Sequence, residues 1–360
     1  MKINKLIYIT FFFAAMFMVS CETDFTNPGA STEGDVVTSA TGLELLTRGL
    51  HRRWSVGRQS PVYTTVAASG FTTGELRLIN PGNISENDLS IGGNSLDGSN
   101  AIVSNIWEQC LITRKEAQTV LTNLDNGVVP DAGLEGGIRA YASIFAAMSN
   151  GTLATFFDQV PLVVKQDAEF STREATLNAA IADLDIAISS IGSNSYRQFN
   201  MDALNTARAL KARYHNMLGN HAEALAAANS VDLTSTSEFI FDAVNTNPIA
   251  FISILTNNVY QPIDLTLGLP TGLQPDPNDA RLAFYFQDVT PMMSDFRAAA
   301  FFDDAQDGVP VYLPGEMMLI KAEAYARQND LNNAVLELNK VLTKSATDDA
   351  FGIGAGLSSY

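Results

Sequence analysis

Three histidines and two cysteines are all that 360 residues offer for imidazole chemistry, thiol chemistry or disulfides. His51, His215 and His221 stand in no HExxH or Cys–His metal spacing, so the sequence gives no ground for a resident metal. A nucleophile elbow is missing too, because Gly93-Asn94-Ser95-Leu96-Asp97 lacks the second glycine of GxSxG. Gly352-Ile353-Gly354-Ala355-Gly356 has no strand or helix pattern around it to make a phosphate cradle, and nothing else calls for a cofactor. Asp303 to Gly308 opens like a calcium loop. Its third position is Ala305 and its twelfth is Pro314, so it fails as an EF-hand and reads as a surface turn. Positive charge is scarce: 22 Lys and Arg face 39 Asp and Glu, a formal charge of −17 with no basic run. That balance excludes nucleic acid, whose phosphates need clustered Lys and Arg. The one catalytic route left open is a carboxylate pair of the kind that hydrolyses glycosides, since its separation is a spatial property.

What is present reads as one large globular unit, with 46% hydrophobic and 17% charged residues. Lys2 and Lys5 precede an apolar run from Leu6 to Val19 that only Thr10 interrupts, and Val19-Ser20-Cys21 follows. The run is too short for a comfortable membrane span and reads as a secretory signal. A cysteine at the cleavage point resembles the bacterial lipobox, although Met18 departs from its usual leucine. This makes residues 1–20 a lipoprotein signal peptide, Cys21 the acylated first mature residue and 21–40 a polar tether. Glu22-Thr23-Asp24 resembles the acidic export signal of Bacteroidetes surface lipoproteins. With Cys21 acylated only Cys110 remains, so no internal disulfide forms and stability rests on the core.

Apolar periodicity predicts helices over Leu43 to Trp54, Ser104 to Leu124, Gly137 to Asn150 and Met201 to Leu218, then Ala222 to Ser230. Ser171-Thr172-Arg173-Glu174 reads as a capping box opening a helix that carries Leu177, Ile181, Leu184, Ile188 and Ile191 and stops at Gly192. Pro314 to Lys344 holds two short helices around a Gln328-Asn329-Asp330 turn. The same pattern stands 110 residues earlier (322 − 212): Ala212 matches Ala322, Gly219 matches Asn329 and Ala224 matches Ala334. Small residues at such positions let paired helices approach closely, as in tetratricopeptide-type repeats. The fold class is therefore mainly α, a tetratricopeptide-like helix-pair (α-solenoid) scaffold over 41–360. Two irregular insertions interrupt it at 55–100 and 231–313, where Gly, Pro, Ser and Asn dominate and short strands fit Phe239 to Phe241, Phe284 to Phe286 and Val309 to Leu313.

A sugar site needs flat aromatic faces beside amides, carboxylates or Arg. The first insertion offers Trp54, Tyr63, Phe71, Arg77, Asn80 and Asn83, and the second offers Tyr260, Gln261 and Asp264. Trp107, with Val103, Cys110 and Leu111 as helical neighbours, belongs to the core. The lipobox cysteine, the Trp107 helix, Phe157-Asp158-Gln159-Val160-Pro161-Leu162, Ala207 to Ala224 and Met317 to Ala324 with the Asn329-Asp330 turn together resemble the SusD/RagB family. The resemblance covers nearly the whole mature chain. It implies a cell-surface, lipid-anchored outer-membrane protein that binds oligosaccharide and delivers it to a SusC-like TonB-dependent transporter, without being an enzyme. It also implies an Arg-Glu-rich helix and an aromatic segment beyond Tyr360. Two other readings stay open from the residues themselves: a repeat scaffold binding protein partners in the envelope, and a glycoside hydrolase.

Overall fold

Helices packed neighbour on neighbour in chain order build the molecule, seen here in a computed structural model that describes residues 33–191, 197–256, 259–288, 296–298 and 300–360. The signal peptide, Cys21 and most of the tether lie outside the described residues. After a short α1 (Glu33–Val37), α2 (Ala40–Ser55) starts at Ser39, whose hydroxyl accepts from the Gly42 N–H, and turns Leu43, Leu50 and Trp54 inward.

The first insertion is not the loop that its composition predicts. Ser60 caps α3 (Pro61–Thr73), Pro61 occupies its first turn and Gly74 ends it at φ 78°. Its threonines return their hydroxyls to carbonyls one turn back. Its small residues serve close packing: a Cβ on Gly70 would stand 2.4 Å from Leu76 Cδ1. Strand β1 (Leu76–Leu78) and α4 (Ile84–Ile91) complete the stretch.

α5 (Ala101–Asp125) and α6 (Ala132–Phe156) cross the centre, and α6 is buried on most sides from Gly136 to Ala154. Gly151 shows why: a Cβ there would lie 2.2 Å from the Tyr214 ring. The Phe157 connector is extended as expected, with β2 (Gln159–Pro161) paired antiparallel to β3 (Phe170–Thr172). The helix α7 (Arg173–Ile191) starts one residue later than a Ser171 cap requires, and Thr172, the last residue of β3, caps it with Oγ1 accepting from the Ala175 N–H at 3.2 Å. The expected stop at Gly192 lies outside the described residues.

α8 (Ala203–Leu218) and α9 (His221–Asn229) form the first repeated hairpin. The second insertion follows, with β4 (Glu238–Phe239), a π-helical stretch (Ile249–Thr256), β5 (Tyr260–Pro262), α10 (Ala280–Tyr285), β6 (Phe286–Asp288), β7 (Phe296–Ala298) and β8 (Val309–Pro310). Two-residue and three-residue ribbons hold it down: β5 pairs with β1, β8 with β4 and β7 with β6, all antiparallel. Buried Asn247 pins it further, donating to the carbonyls of Phe301 and Asp307.

α11 (Pro314–Arg327) and α12 (Leu331–Leu342) form the second hairpin. The two hairpins repeat in backbone as well as sequence, since Gly219 (φ 77°) and Asn329 (φ 61°) both sit in the left-handed region that ends a helix. They are neighbours in space, with α11 packed on α8 and α9 and the insertion looped out between them. Arg213 of α8 clamps the contact, bonding Glu316 Oε1 at 2.5 Å and Oε2 at 2.7 Å. One main core runs from Leu43 to Ile320, and a second, smaller core gathers Tyr63, Phe71, Ile102, Ile106, Val259 and Tyr260.

Candidate functional site

Helical periodicity decides the fate of the predicted stacking rings. Tyr63, Ala67 and Phe71 recur every four residues and form one stripe of α3 that faces the second core. Tyr63 is fully buried and Phe71 nearly so, each packed on Tyr260 at 5.8 and 5.7 Å between centroids. Trp54 is buried in the main core, 6.4 Å from Phe145. A ring without a free face cannot stack on a sugar, so these three assignments are corrected: Trp54, Tyr63 and Phe71 are packing residues. Tyr260 and Gln261 are buried as well, and Asp264 closes a turn by accepting from the Thr266 and Gly268 N–H groups. Arg77 lies opposite Gln261 on the β1–β5 ribbon, where Arg77 Nε and Gln261 Oε1 are buried without hydrogen-bond partners. Exposed Asn80 shapes a turn, taking the Gly82 N–H on its side chain and the Asn83 amide on its carbonyl. Trp107 is only half-buried. Its ring meets Phe157 at 4.9 Å and lies nearly parallel to exposed Phe170 at 6.1 Å.

Of the predicted residues, Trp54 borders a cavity of about 200 Å³ and Asn83 lines one about twice that size. The cavity measures about 420 Å³, with Arg58 from the α2–α3 turn, Asn83 to Glu86 from the start of α4, and Asn105 from the first turns of α5 on its walls. Its size is at the small end of the range for ligand pockets. Glu86 is the central group. Its side chain is 1% exposed, and one oxygen, Oε1, accepts from Arg58 Nη2 at 2.7 Å, Arg58 Nε at 3.1 Å and the Tyr63 hydroxyl at 2.9 Å. The other oxygen, Oε2, is buried and accepts nothing. A buried acceptor left unsatisfied costs about 1–3 kcal/mol. Asn83 Oδ1 accepts from Arg58 Nη2 at 2.9 Å and fixes the guanidinium.

The electrostatics follow from burial. Burial opposes the charge on Arg58, but its hydrogen bonds and attraction to Glu86 outweigh that, and its pKa is raised. Burial first, then the neighbouring Tyr260 and Glu86, push the Tyr63 hydroxyl well above the usual tyrosine range, so it stays a donor. Arg58 and Glu86 cancel, and the remaining polar walls are amides and a hydroxyl. The side chain of Asn83 makes no cap bond to α4, its Oδ1 being taken by Arg58. The composition of 55–100 reads as loop and gives no sign of Arg58 or Glu86; Asn83 and Glu86, three apart at a helix start, are the available signal.

A larger cavity of about 690 Å³ lies between α10, α11, α12 and the C-terminal segment, walled by Leu282, Tyr285, Phe286, Leu319 and Ile353. Its charged groups are paired, Arg281 with Asp279 at 2.6 Å, Lys344 with Asp349, Glu316 with Arg213 and Glu323 with Arg327 at 3.2 Å, and the rest of its wall is mostly apolar. The Asp303–Asp307 turn closes on itself, with Asp307 Oδ2 accepting from the Asp303 and Asp304 N–H groups. Among the described residues no cluster of three or more His, Cys, Asp or Glu is arranged to hold a metal ion, and no helix is long and apolar enough to cross a membrane.

The arrangement of helix pairs and ribbons is the fold of the SusD-like proteins. The structure superposes on a SusD-like carbohydrate-binding protein from Bacteroides vulgatus with a TM-score of 0.68 at 14% identity, covering 89% of this chain and 76% of that one. A second SusD-like carbohydrate-binding protein, from Bacteroides fragilis, gives 0.64 at 14% identity over 90% and 81% of the two chains. A SusD/RagB family protein from Bacteroides thetaiotaomicron gives 0.57 at 18% identity over 89% and 76%. No family model matches the chain, and no curated protein does.

Proposed function

We propose that this chain is a glycan-binding protein of the SusD/RagB type, taking oligosaccharide into the Arg58–Asn83–Glu86–Asn105 cavity. One observation carries the proposal: Arg58, Gln59, Asn83, Ser85 and Asn105 set guanidinium, amide and hydroxyl groups around one cavity of about 420 Å³, beside the apolar Ile84, Ala101 and Ile102. A sugar hydroxyl both donates and accepts, which is what such a wall requires. The fold supports the reading, since structures sharing it are described as carbohydrate-binding. Glu86 is the only carboxylate on the cavity wall, so the site has no second acid to pair with it across a glycosidic bond. Binding without turnover fits that wall. Acylation of Cys21 would hold the protein on the outer membrane at the cell surface, where it would pass its ligand to a SusC-like TonB-dependent transporter.

A glycan array probed with the mature chain, followed by chromatography of each hit after prolonged incubation, tests this function. Retention of at least one oligosaccharide with no shortened product is expected. Release of shorter sugars would make the protein a hydrolase, and no retention of any glycan would overturn the proposal. Mass spectrometry of the mature N-terminus checks the anchor, and an unmodified start would remove it.

A further inference from the structure

Resting on the glycan reading, we infer that one face of the β2–β3 ribbon is a second sugar-binding surface, on which Phe170 stacks a neutral pyranose ring while Gln159 and Thr172 bond its hydroxyls. Among the described residues the cavity beside Arg58 has no aromatic ring on its walls. It can bond sugar hydroxyls but offers no flat partner to the C–H face of a ring. The ribbon supplies that partner.

An exposed phenylalanine by itself needs no explanation, because single apolar residues are common on protein surfaces. Phe170 differs in how it is held. It is 59% exposed, yet its ring lies within 17° of parallel to Trp107 at 6.1 Å between centroids. Trp107 is in turn set edge-on to Phe157 at 4.9 Å. One face of the phenylalanine therefore rests toward the indole, and the other is left to solvent. A ring already held in this way loses little further freedom when a ligand settles on it.

Strand geometry sets polar groups beside the ring. Partners across an antiparallel ribbon point to the same side, and neighbours along a strand point to opposite sides. The register pairs Pro161 with Phe170 and Gln159 with Thr172, so Gln159, Phe170 and Thr172 share a face. Val160, fully buried, points the other way into the core. Gln159 is exposed, and its amide takes no part in a hydrogen bond among the described residues. Thr172 Oγ1 accepts from the Ala175 N–H, which leaves its hydroxyl hydrogen free to donate. Thr172 stands two residues along from Phe170, about 7 Å, within reach of a sugar stacked on the ring. A flat ring, a free amide and a hydroxyl on one face match a pyranose whose hydroxyls are equatorial, with its C–H groups toward Phe170 and its hydroxyls at the rim. The surface is separate from the cavity. Asn105 on the cavity wall and Trp107 lie two residues apart on α5, about 200° around the helix and so on opposite sides of it. With one ring and no enclosing walls, it is the weaker of the two sites.

The chain has two tryptophans, so Trp54→Phe leaves Trp107 as the sole reporter, directly beneath the proposed sugar. Emission of that variant is titrated with cellohexaose, maltohexaose and xylohexaose. At least one should shift it to shorter wavelength and saturate in the millimolar range. Adding Phe170→Ala should weaken the midpoint about fivefold, while Phe170→Tyr, which keeps the flat ring, should leave it unchanged. If Trp54→Phe does not fold, saturation-transfer NMR of the same sugars on Asn105→Trp, whose cavity is filled, replaces it. Transfer to the sugar C–H protons should persist there and vanish when Phe170→Ala is added. No response to any of the three sugars, or a midpoint unchanged by Phe170→Ala, overturns the inference and leaves the cavity and the glycan reading standing. A glycan array without a single hit overturns both.

Discussion

His51 is buried where α2 meets the second insertion, stacked on Phe199 at 4.6 Å and set edge-on to Phe145 at 6.5 Å. Its Nε2 accepts a long bond from the Ile240 N–H at 3.4 Å, a role open only to neutral imidazole. Burial lowers its pKa from 6.5 to about 4. Between those values the unfolded chain binds the extra proton and the native chain does not, so stability rises with pH through the window. The contribution is present in full above pH 6.5 and is lost as pH falls toward 4, amounting to roughly 3 kcal/mol at about 1.36 kcal/mol per pKa unit. His51→Phe keeps the ring stack and removes the titration. Urea unfolding measured from pH 4 to 7 should lose about one proton of linkage in that variant, and an unchanged slope would show that His51 is solvated. The same burial explains why residue types alone misled at the site. An aromatic in a Gly-rich stretch reads as available, yet Tyr63 and Phe71 were committed to a core once their stretch became helix.

At the scale of elements, the helices with apolar periodicity are legible in the sequence, and α3 and α4, which lack it, are not. α5 to α9 and the final hairpin carry apolar faces that repeat every three or four residues; their observed bounds lie within about three residues of those predicted, except that α6 extends five residues earlier and six later than Gly137 to Asn150. α3 carries Thr, Ser, Ala and Gly, residues of middling or poor helix propensity apart from alanine, and is fixed by packing on α5 and by its Ser60 cap. The repeat also acquires an asymmetry that alignment hides. Ala212 is fully buried between α8 and its neighbours, whereas its counterpart Ala322 is half-buried and Ala324 takes the buried position in α11. Ala212→Leu should overpack the contact and cost about 1–3 kcal/mol, with Ala322→Leu costing clearly less. Thermal melts of the two variants decide it; equal losses would mean that both alanines sit in the same close contact.

For the whole molecule, scaffold and cavity divide the work. The packed helices bring together Arg58, Asn83, Glu86 and Asn105 from three separate segments. No spacing in the sequence announces such a constellation, because the packing of α3, α4 and α5 creates it. Asn83 was found by composition; its partners were not. The claim that this cavity holds the ligand meets its most direct test in one titration. Asn105 is half-buried on the cavity wall, so Asn105→Trp should fill the space while sparing the Arg58–Glu86 pair. Titrated with the strongest oligosaccharide from the array, native protein should give saturable heat, and Asn105→Trp, folded with an unchanged melting temperature, should bind at least tenfold more weakly. Equal affinity in the two proteins would place the ligand elsewhere and contradict the account.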